Sequence, residues 1–216
     1  MNAYSMVDEF EKRVAEYSGA KYGVAVNSCT NAIMLSAAYL KILGLYGSLG
    51  IPKHTYVGVP YALINAGCDI YFNDMEWQGS YIIDFIRGID DSGTYNLDIP
   101  MIVDSARRFT KGMYFKDSLY CLSFHETKLL SIGDGGMILT DDKEAYDALR
   151  QMRFDGRTPG KSVFDDEFTL PGYHCHMKPD VATRGLMLMA GVKDYNKDLP
   201  ETYPDLSKHK IFAEGY

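Results

Sequence analysis

The sequence has little cysteine, no long apolar run and no surplus of basic residues. Its 216 residues include only four cysteines, which lie far apart, and 22 lysines and arginines against 29 acidic residues. This wide cysteine spacing indicates neither a disulfide scaffold nor a CxxC metal site. The net charge of −7 and the lack of a basic stripe argue against nucleic acid as a partner.

The sequence also lacks a segment that resembles a membrane span or a secretion signal. The apolar stretch over residues 32–45 is interrupted by Ser36 and Lys41 and is too short to cross a bilayer. Residues 1–10 carry acids and lack the basic and then apolar order of a signal peptide. We therefore expect no membrane contact and a protein of the cytoplasm, with 46% hydrophobic residues to build its core.

Helical and strand-like patterns alternate along the chain. Val7, Phe10, Val14 and Tyr17 recur at the spacing of a helix face, and short apolar runs indicate strands. The alternation predicts an α/β fold. The predicted strands are residues 22–26, 49–51, 69–72, 101–103, 119–124 and 137–140, with residues 81–83 as a hairpin or a short edge strand. The further predicted helices are residues 30–43, 55–65, 143–154 and 179–192.

Polar residues follow several of the predicted strands, where α/β sheets form their ligand sites. The turn Asn27-Ser28-Cys29-Thr30 joins a strand to a helix. Its backbone N–H groups and two hydroxyls could hold a phosphate. Ser28 or Thr30 could equally serve only as the cap of the helix.

Asp104 and Lys128 also follow predicted strands. The carboxylate of Asp104 either caps a helix or points into a site. Lys128 precedes the glycine-rich run Gly133-Asp134-Gly135-Gly136. A lysine is usually a solvated surface charge, but a lysine between a buried strand and a glycine-rich turn is a candidate for covalent catalysis.

His174 and His176 flank Cys175 and raise the question of a metal site. Alternate residues of a strand face the same side, so the two imidazoles could act together. A zinc site needs three or four ligands, and no further histidine or cysteine lies nearby in the sequence. We therefore predict no metal site.

Several stretches occur in the order in which one enzyme family carries its motifs. The most specific is SFHETKLLSIGDGGM over residues 123–137, which is similar to the pattern SFHxTKxLxxGEGGM. The others are FE with AEYSGAKY (residues 10–22), NSCTNAI (27–33), PKHTYVG (52–58) with NAG (65–67), VDSA (103–106), LRQMRFDG (149–156) and GYHCHM (172–177). With these motifs the chain resembles, over roughly residues 8–192, the DegT/DnrJ/StrS family of pyridoxal-phosphate-dependent sugar aminotransferases, which have aminotransferase fold type I.

The resemblance implies pyridoxal 5′-phosphate (PLP) as the cofactor. It also implies a mostly parallel central sheet flanked by helices, with one antiparallel strand near residues 137–140. Lys128 would bind the cofactor as an imine and then move the α-proton of the substrate amine. Asp104 would keep the pyridine nitrogen protonated, and Tyr56 would stack on the ring.

The resemblance further implies which residues hold the cofactor's phosphate and ring hydroxyl. Ser123, Thr30 and the backbone of Cys29 would hold the phosphate. Arg107 would face the ring hydroxyl, and His174 of the partner subunit would reach the phosphate. The predicted catalytic residues are Lys128 and Asp104. The predicted cofactor-binding residues are Cys29, Thr30, Tyr56, Asp104, Arg107, Ser123, Lys128 and His174 of the partner subunit.

Some residues depart from the family's pattern. Cys29 brings a side chain into a turn where the family has a glycine, and Arg107 replaces a glutamine. His174 and His176 replace the asparagine and the arginine of an NxR motif. These differences affect the phosphate turn, the ring contact and the contact between subunits.

The chain also ends where the family's smaller C-terminal domain usually begins. We therefore predict a minimal form, with a PLP-binding large domain over residues 1–194 and an extended tail or arm over residues 195–216. The tail is polar and contains Pro200 and Pro204.

The resemblance implies a homodimer with composite active sites that transfers an amino group from an amino acid, by resemblance glutamate, to a keto-sugar carried on a nucleotide. One alternative is a protein that binds the cofactor, has lost catalysis and acts as a partner or regulatory subunit. Another is dehydration of a sugar, although the family's dehydratases carry a histidine where this chain has Lys128.

Overall fold

The computed structural model describes residues 4–44, 47–87, 100–200 and 202–213. In these ranges the helices are α1 (Ser5–Ser18), α2 (Cys29–Ile42), α3 (Gly58–Asn65), α4 (Lys143–Met152), α5 (Pro179–Met189) and α6 (Lys210–Ala213). The strands are β1 (Tyr22–Val26), β2 (Gly47–Pro52), β3 (Asp69–Asn73), β4 (Tyr81–Arg87), β5 (Met101–Asp104), β6 (Ser118–Ser123) and β7 (Gly136–Thr140). A 3-10 turn covers Leu206–Lys208. Each strand and helix predicted from the sequence is present within a few residues of its predicted bounds.

The strands form one sheet in the order β1-β7-β6-β5-β4-β2-β3. Strand β7 is antiparallel to β1 and β6, and β4 is antiparallel to β5 and β2. The pairs β5–β6 and β2–β3 are parallel. Five of the seven strands therefore run in the same direction, which confirms the predicted α/β fold, and the antiparallel strand predicted near residues 137–140 is β7.

The position of strand β4 differs from the prediction, which made residues 81–83 a hairpin or a short edge strand. It lies inside the sheet between β5 and β2. Tyr81 and Ile83 are buried, whereas Ile82 and Asp84 on the alternate side are exposed. This alternation is typical of a strand with one covered face, but it carries no information about which strands lie on either side.

Signals in the sequence explain most helix ends. Gly19 ends α1 with a φ of +88°, a conformation that glycine adopts at little cost. The side chain of Asp142 accepts a hydrogen bond from the backbone N–H of Glu144 at the start of α4. Helix α3 begins at Gly58, later than the predicted residue 55. The hydroxyl of Thr55, before the helix, lies 2.7 Å from the phenol oxygen of Tyr81.

Two apolar cores lie on the two faces of the sheet. One packs α2, α3 and α4 against the sheet and includes Leu35, Ile51 and Leu63. The other lies under α1 and α5 and includes Phe10 and Phe124. The two helices approach closely at Gly185 because a Cβ there would lie 2.6 Å from the Phe10 ring. At the end of α5, Met187 and Leu188 are exposed, while Met189 packs against the second core.

The segment that follows α5 lies along the body of the protein. We call residues 194–200 and 202–206 the strap, since this stretch has no regular structure until the 3-10 turn and contacts loops at the end of the sheet. The last part of the predicted tail, residues 214–216, lies outside the described residues. Within the described ranges, no helix has the length and hydropathy needed to cross a membrane.

Candidate active site

The ends of three strands converge on one cavity. Strands β1, β5 and β6 run in the same direction, so the residues that follow them meet at one edge of the sheet. The cavity has a volume of about 320 Å³. All but one of the predicted site residues line it: Cys29, Thr30, Tyr56, Asp104, Arg107, Ser123 and Lys128. The exception is His174.

The turn after β1 forms the floor of the cavity near the start of α2. Ser28 caps this helix, because its hydroxyl accepts a hydrogen bond from the backbone N–H of Asn31 at 3.1 Å. The backbone of β7 presses against the turn: a Cβ at Gly136 would lie 2.6 Å from the nitrogen of Cys29. Ser28 therefore has the capping role, while Thr30 and the N–H groups of the turn remain at the cavity.

Asp104 is a buried acid in the cavity wall. It caps no helix, and its Oδ1 accepts a hydrogen bond from the backbone N–H of Ala106 at 2.9 Å. Burial raises the pKa of this carboxyl, and the Ala106 N–H, the Tyr81 phenol and the charges of Lys128 and Arg107 oppose that rise. The observed contacts therefore favour the reading of Asp104 as a site residue over the reading as a helix cap.

Lys128 is half-buried and lines the cavity. Burial lowers the pKa of its ammonium group, and the charge of Arg107 lowers it further. Asp104, Cys29 and Tyr56 act in the opposite direction. A lysine with a lowered pKa has a larger neutral fraction, which a nucleophile or base requires.

The glycine-rich run holds the loop of Lys128 against the sheet. Gly133 and Gly135 have φ values of +106° and +116°, which other residues rarely adopt. The backbone N–H of Phe124 donates to the oxygen of Gly135, and the N–H of Lys128 donates to the oxygen of His125, both at 2.9 Å. These bonds hold the segment from Phe124 to Gly135 in place around Lys128.

Arg107 lies in the cavity wall with its guanidinium held by the strap. It donates hydrogen bonds to the oxygen of Pro200 and, at 3.4 Å, to the hydroxyl of Thr202. The carbon of the guanidinium lies 4.5 Å from the centre of the Tyr203 ring. Arg107 is only 9% exposed, so it does not point to solvent.

Sequence reasoning missed two aromatic residues of the cavity, Trp77 and Tyr203. Their rings are stacked, with centres 6.4 Å apart. Tyr56 lies at the mouth, is 53% exposed, and has its ring centre 6.1 Å from that of Tyr203. The only sequence signal for Tyr203 was its position between Pro200 and Pro204, which indicated an extended segment but not its destination.

His174 does not line the cavity of its own chain. Its side chain is 75% exposed, and Nδ1 lies 3.0 Å from a carboxylate oxygen of Asp155. The His176 ring contacts it edge to face at 4.8 Å. In the part of the chain that the structure describes, no three histidine, cysteine or acidic side chains are grouped to hold a metal ion.

The sequence pattern of the DegT/DnrJ/EryC1/StrS aminotransferase family matches residues 1–85 and 110–206. The chain belongs to this family. The predicted resemblance is thereby confirmed. Asp104 and Arg107 fall between the two matched segments, so the DegT/DnrJ/EryC1/StrS assignment depends on other parts of the chain, Lys128 among them.

Relatives of known name are similar over most of this chain. A UDP-4-amino-4,6-dideoxy-N-acetyl-beta-L-altrosamine transaminase of Campylobacter jejuni is 25% identical over 82% of this chain and 54% of its own length. Helicobacter pylori PseC, an aminotransferase involved in the biosynthesis of pseudoaminic acid, has a TM-score of 0.68 and 18% identity, over 86% of this chain and 57% of its own. A GDP-4-keto-6-deoxymannose-3-dehydratase with a trapped PLP–glutamate geminal diamine has a TM-score of 0.63 and 21% identity, over 86% of this chain and 60% of its own.

These comparisons establish a shared fold. The two solved structures have the same fold as this chain and align with it over 86% of its length. The chain spans about half the length of the curated relatives it matches, 58% and 54% for two of them.

Proposed function

We propose that the protein is a PLP-dependent aminotransferase that moves an amino group from an amino acid, glutamate in the first instance, to a keto-sugar carried on a nucleotide. The observation that carries this proposal is one cavity that contains both a half-buried lysine of lowered pKa and a buried acid. The cavity also contains the start of a helix, whose N–H groups favour a phosphate.

The residues present fit PLP. The close backbone approach at Gly136 brings the turn of Cys29 to the edge of the cavity, where a phosphate would meet the N–H groups and the hydroxyls of Thr30 and Ser123. The buried carboxylate of Asp104 suits a protonated ring nitrogen, and Tyr56 has an exposed ring face. When bound, PLP supplies an electron sink for carbanion chemistry.

The chain's own residues would divide the remaining work. Lys128 would attach the cofactor covalently through Nζ and then carry the proton of the substrate's α-carbon. Asp104 would hold a proton on the ring nitrogen by charge. The positive charge of Arg107, in the same cavity, would favour the deprotonated forms of Lys128 and of the ring hydroxyl.

The substrate class follows from the family and the names of relatives. The Campylobacter jejuni relative is a transaminase of a UDP-linked amino sugar, and another relative is a GDP-perosamine synthase. The sugar and the position that is aminated are left open by the proposal.

A homodimer with composite sites is part of the proposal. His174 is exposed outside its own chain's cavity, as expected for a side chain that serves a neighbour, and Met187 and Leu188 offer apolar surface for a symmetric contact. The four cysteines are unpaired, which supports a reducing compartment such as the cytoplasm.

Mixing of inactive variants tests the composite site. Lys128→Ala and His174→Ala are combined under conditions that exchange subunits. Half of the dimers are then mixed, each with one intact site of two, so about a quarter of the natural activity should return. Full activity of His174→Ala alone would exclude its role, and no recovery after verified exchange would mean that each site is built within one chain.

The central experiment follows the cofactor on the protein. PLP is added to the purified protein, the visible absorbance is recorded with and without glutamate, and the complex is reduced with borohydride and mapped by peptide. We expect a band that glutamate bleaches and a label on Lys128. A label on another lysine, or none at saturating PLP, would refute the aminotransferase proposal.

A second candidate is a PLP-binding protein without catalysis. The observation that favours it is the strap, which fills part of the cavity with Tyr203 and engages Arg107. The same experiment separates the two, since this candidate predicts a labelled Lys128 and a band that glutamate leaves unchanged.

A further inference from the structure

The strap is fixed at both sides of the cavity. At its first end, the carboxylate of Asp198 accepts two hydrogen bonds from the guanidinium of Arg108, at 2.6 and 3.0 Å, and the N–H of Leu199 donates to the oxygen of Arg107 at 3.0 Å. At its other end, the N–H of Leu206 donates to the oxygen of Lys53 at 2.8 Å. The strap is therefore a structured part of the cavity wall.

Tyr203 is the strap residue that enters the cavity. The backbone carbonyl oxygen of Tyr203 lies 3.0 Å from Nδ1 of His54, and the indole N–H of Trp77 donates to the backbone carbonyl oxygen of His54 at 2.9 Å. Its ring stacks with that of Trp77 and supports the guanidinium of Arg107 at 4.5 Å. The backbone contact anchors the strap at this residue, and the two ring contacts place the ring beside Arg107.

Three neighbouring strap residues thus hold one arginine. The carbonyl oxygen of Pro200 and the hydroxyl of Thr202 accept hydrogen bonds from Arg107, and the Tyr203 ring lies against the face of its guanidinium. Arg107 and Lys128 line the same cavity. A cation that is desolvated and pinned beside a lysine disfavours the charged form of that lysine.

We propose that Tyr203 is a positioning residue: it holds the guanidinium of Arg107 over the active-site cavity, and through Arg107 the strap sets the positive charge that Lys128 meets. The groups that face Lys128 are Arg107, Asp104, Cys29 and Tyr56, with His125 and Asp134 also in the cavity wall. Among these groups, Arg107 supplies the positive charge of a guanidinium. The importance of this arrangement for catalysis rests on the proposed function, but the arrangement itself can be measured without cofactor.

The direction of the effect follows from charge. Arg107 lowers the pKa of Lys128, so a guanidinium that loses its fixed position should let that pKa rise. At pH values below the pKa, the neutral fraction of the Lys128 amine then falls. At a fixed pH in that range, each unit of rise slows reaction of the amine tenfold. We expect Tyr203→Ala to slow the labelling of Lys128 by about threefold to tenfold, and Tyr203→Phe, which keeps the ring face, to slow it much less.

The experiment measures the labelling of Lys128 by acetic anhydride in the full chain without cofactor, as a function of pH and resolved by peptide mass spectrometry. Tyr203→Ala, Tyr203→Phe, Arg107→Gln and the double variant Arg107→Gln/Tyr203→Ala are compared. Tyr195→Ala is the control on the same strap, because Tyr195 is 75% exposed. Circular dichroism verifies the fold of each variant, and Tyr203→Leu replaces the alanine variant if that variant does not fold.

The double variant decides how Tyr203 acts. If it acts through Arg107, Tyr203→Ala shifts the titration of Lys128 in the natural background and not in the Arg107→Gln background. An unchanged titration in Tyr203→Ala, or an equal shift in both backgrounds, would overturn the proposal. Because no PLP is present, a failure of the aminotransferase proposal leaves the result unaffected, and the two failures can be told apart.

Discussion

The two walls of the cavity are built in different ways. One wall consists of Asp104 and Ser123, which end the strands β5 and β6, and Thr30, at the start of the helix after β1, together with the loop of Lys128. The other consists of Arg107, Trp77 and the strap residue Tyr203. The first wall follows from the topology of the sheet, because parallel strands end at one edge. The second depends on contacts between residues that are far apart in the sequence.

The largest effect should come from the first wall, at Lys128. Lys128→Ala removes the only group proposed to attach the cofactor and to carry a proton, so activity should fall by about 10²–10⁴-fold or more. Turnover of glutamate with PLP in excess measures this. Lys116→Ala is the matched control, since Lys116 is exposed and lies outside the cavity. Comparable loss in the control would mean that the assay reports general damage.

The next effect should come from the close backbone approach between Gly136 and the turn after β1. In Gly136→Ala the new Cβ would meet the backbone of Ser28 at 2.5 Å, and neither backbone can move freely. We expect the free energy of unfolding to fall by about 1–3 kcal/mol and PLP affinity to fall with it. Gly191→Ala is the control, because a Cβ there would meet nothing closer than 3.8 Å. Chemical unfolding and a PLP titration measure both effects, and a Gly136→Ala protein as stable as the control contradicts the geometry.

A smaller effect should come from the anchor of the second wall. Asp198→Ala removes the partly buried pair with Arg108 and should lower the free energy of unfolding by about 1 kcal/mol. Asp194→Ala removes a more exposed pair of the same strap, with Lys111, and should cost about 0–1 kcal/mol. Faster proteolysis of the strap in Asp198→Ala than in Asp194→Ala would support the anchor. The reverse order would contradict it.

The smallest effect should be a gain in stability at Asp104. Burial raises the pKa of this carboxyl, so its contribution to stability is complete below the pKa of the unfolded chain and is lost as pH rises through the folded pKa. At neutral pH the ionised acid is therefore unfavourable. Asp104→Asn should melt at a higher temperature than the natural protein near pH 7, and this difference should vanish in acid. A lower melting temperature near pH 7 would show that the Ala106 and Tyr81 contacts outweigh burial.

The first wall could be predicted from the sequence, and the second largely could not. Asp104 stood directly after a predicted strand, Thr30 in the turn between a predicted strand and helix, and Ser123 and Lys128 within the motif of residues 123–137. Arg107 was predicted as a cavity residue on resemblance alone, but the strap residues that hold it were assigned only to an extended tail. Tyr203 lies 96 residues after Arg107 in sequence, and no local pattern encodes such a contact.

The fold, too, has features that the sequence predicts and one that it does not. Strand positions followed from apolar runs, and the reversed strand β7 was expected. The position of β4 was not, because strand order is decided by pairing between distant segments rather than by the strand's own residues. Ser28 shows a third case: the sequence allowed both a cap and a phosphate ligand, and only the bond from the Asn31 N–H favoured the cap.

The reversed strand β4 has a consequence for the motions of the molecule. Among the described residues, its ladder with β5 consists of three residue pairs, from Tyr81–Asp104 to Ile83–Ile102, whereas the other ladders have four or five. This short ladder is what joins β2, β3 and β4 to the rest of the sheet, and it ends at the buried acid of the cavity. Cooperative units of a protein separate where few bonds connect them. Fluctuation of these three strands as one body would therefore open the sheet beside Asp104 and widen the cavity that this residue lines.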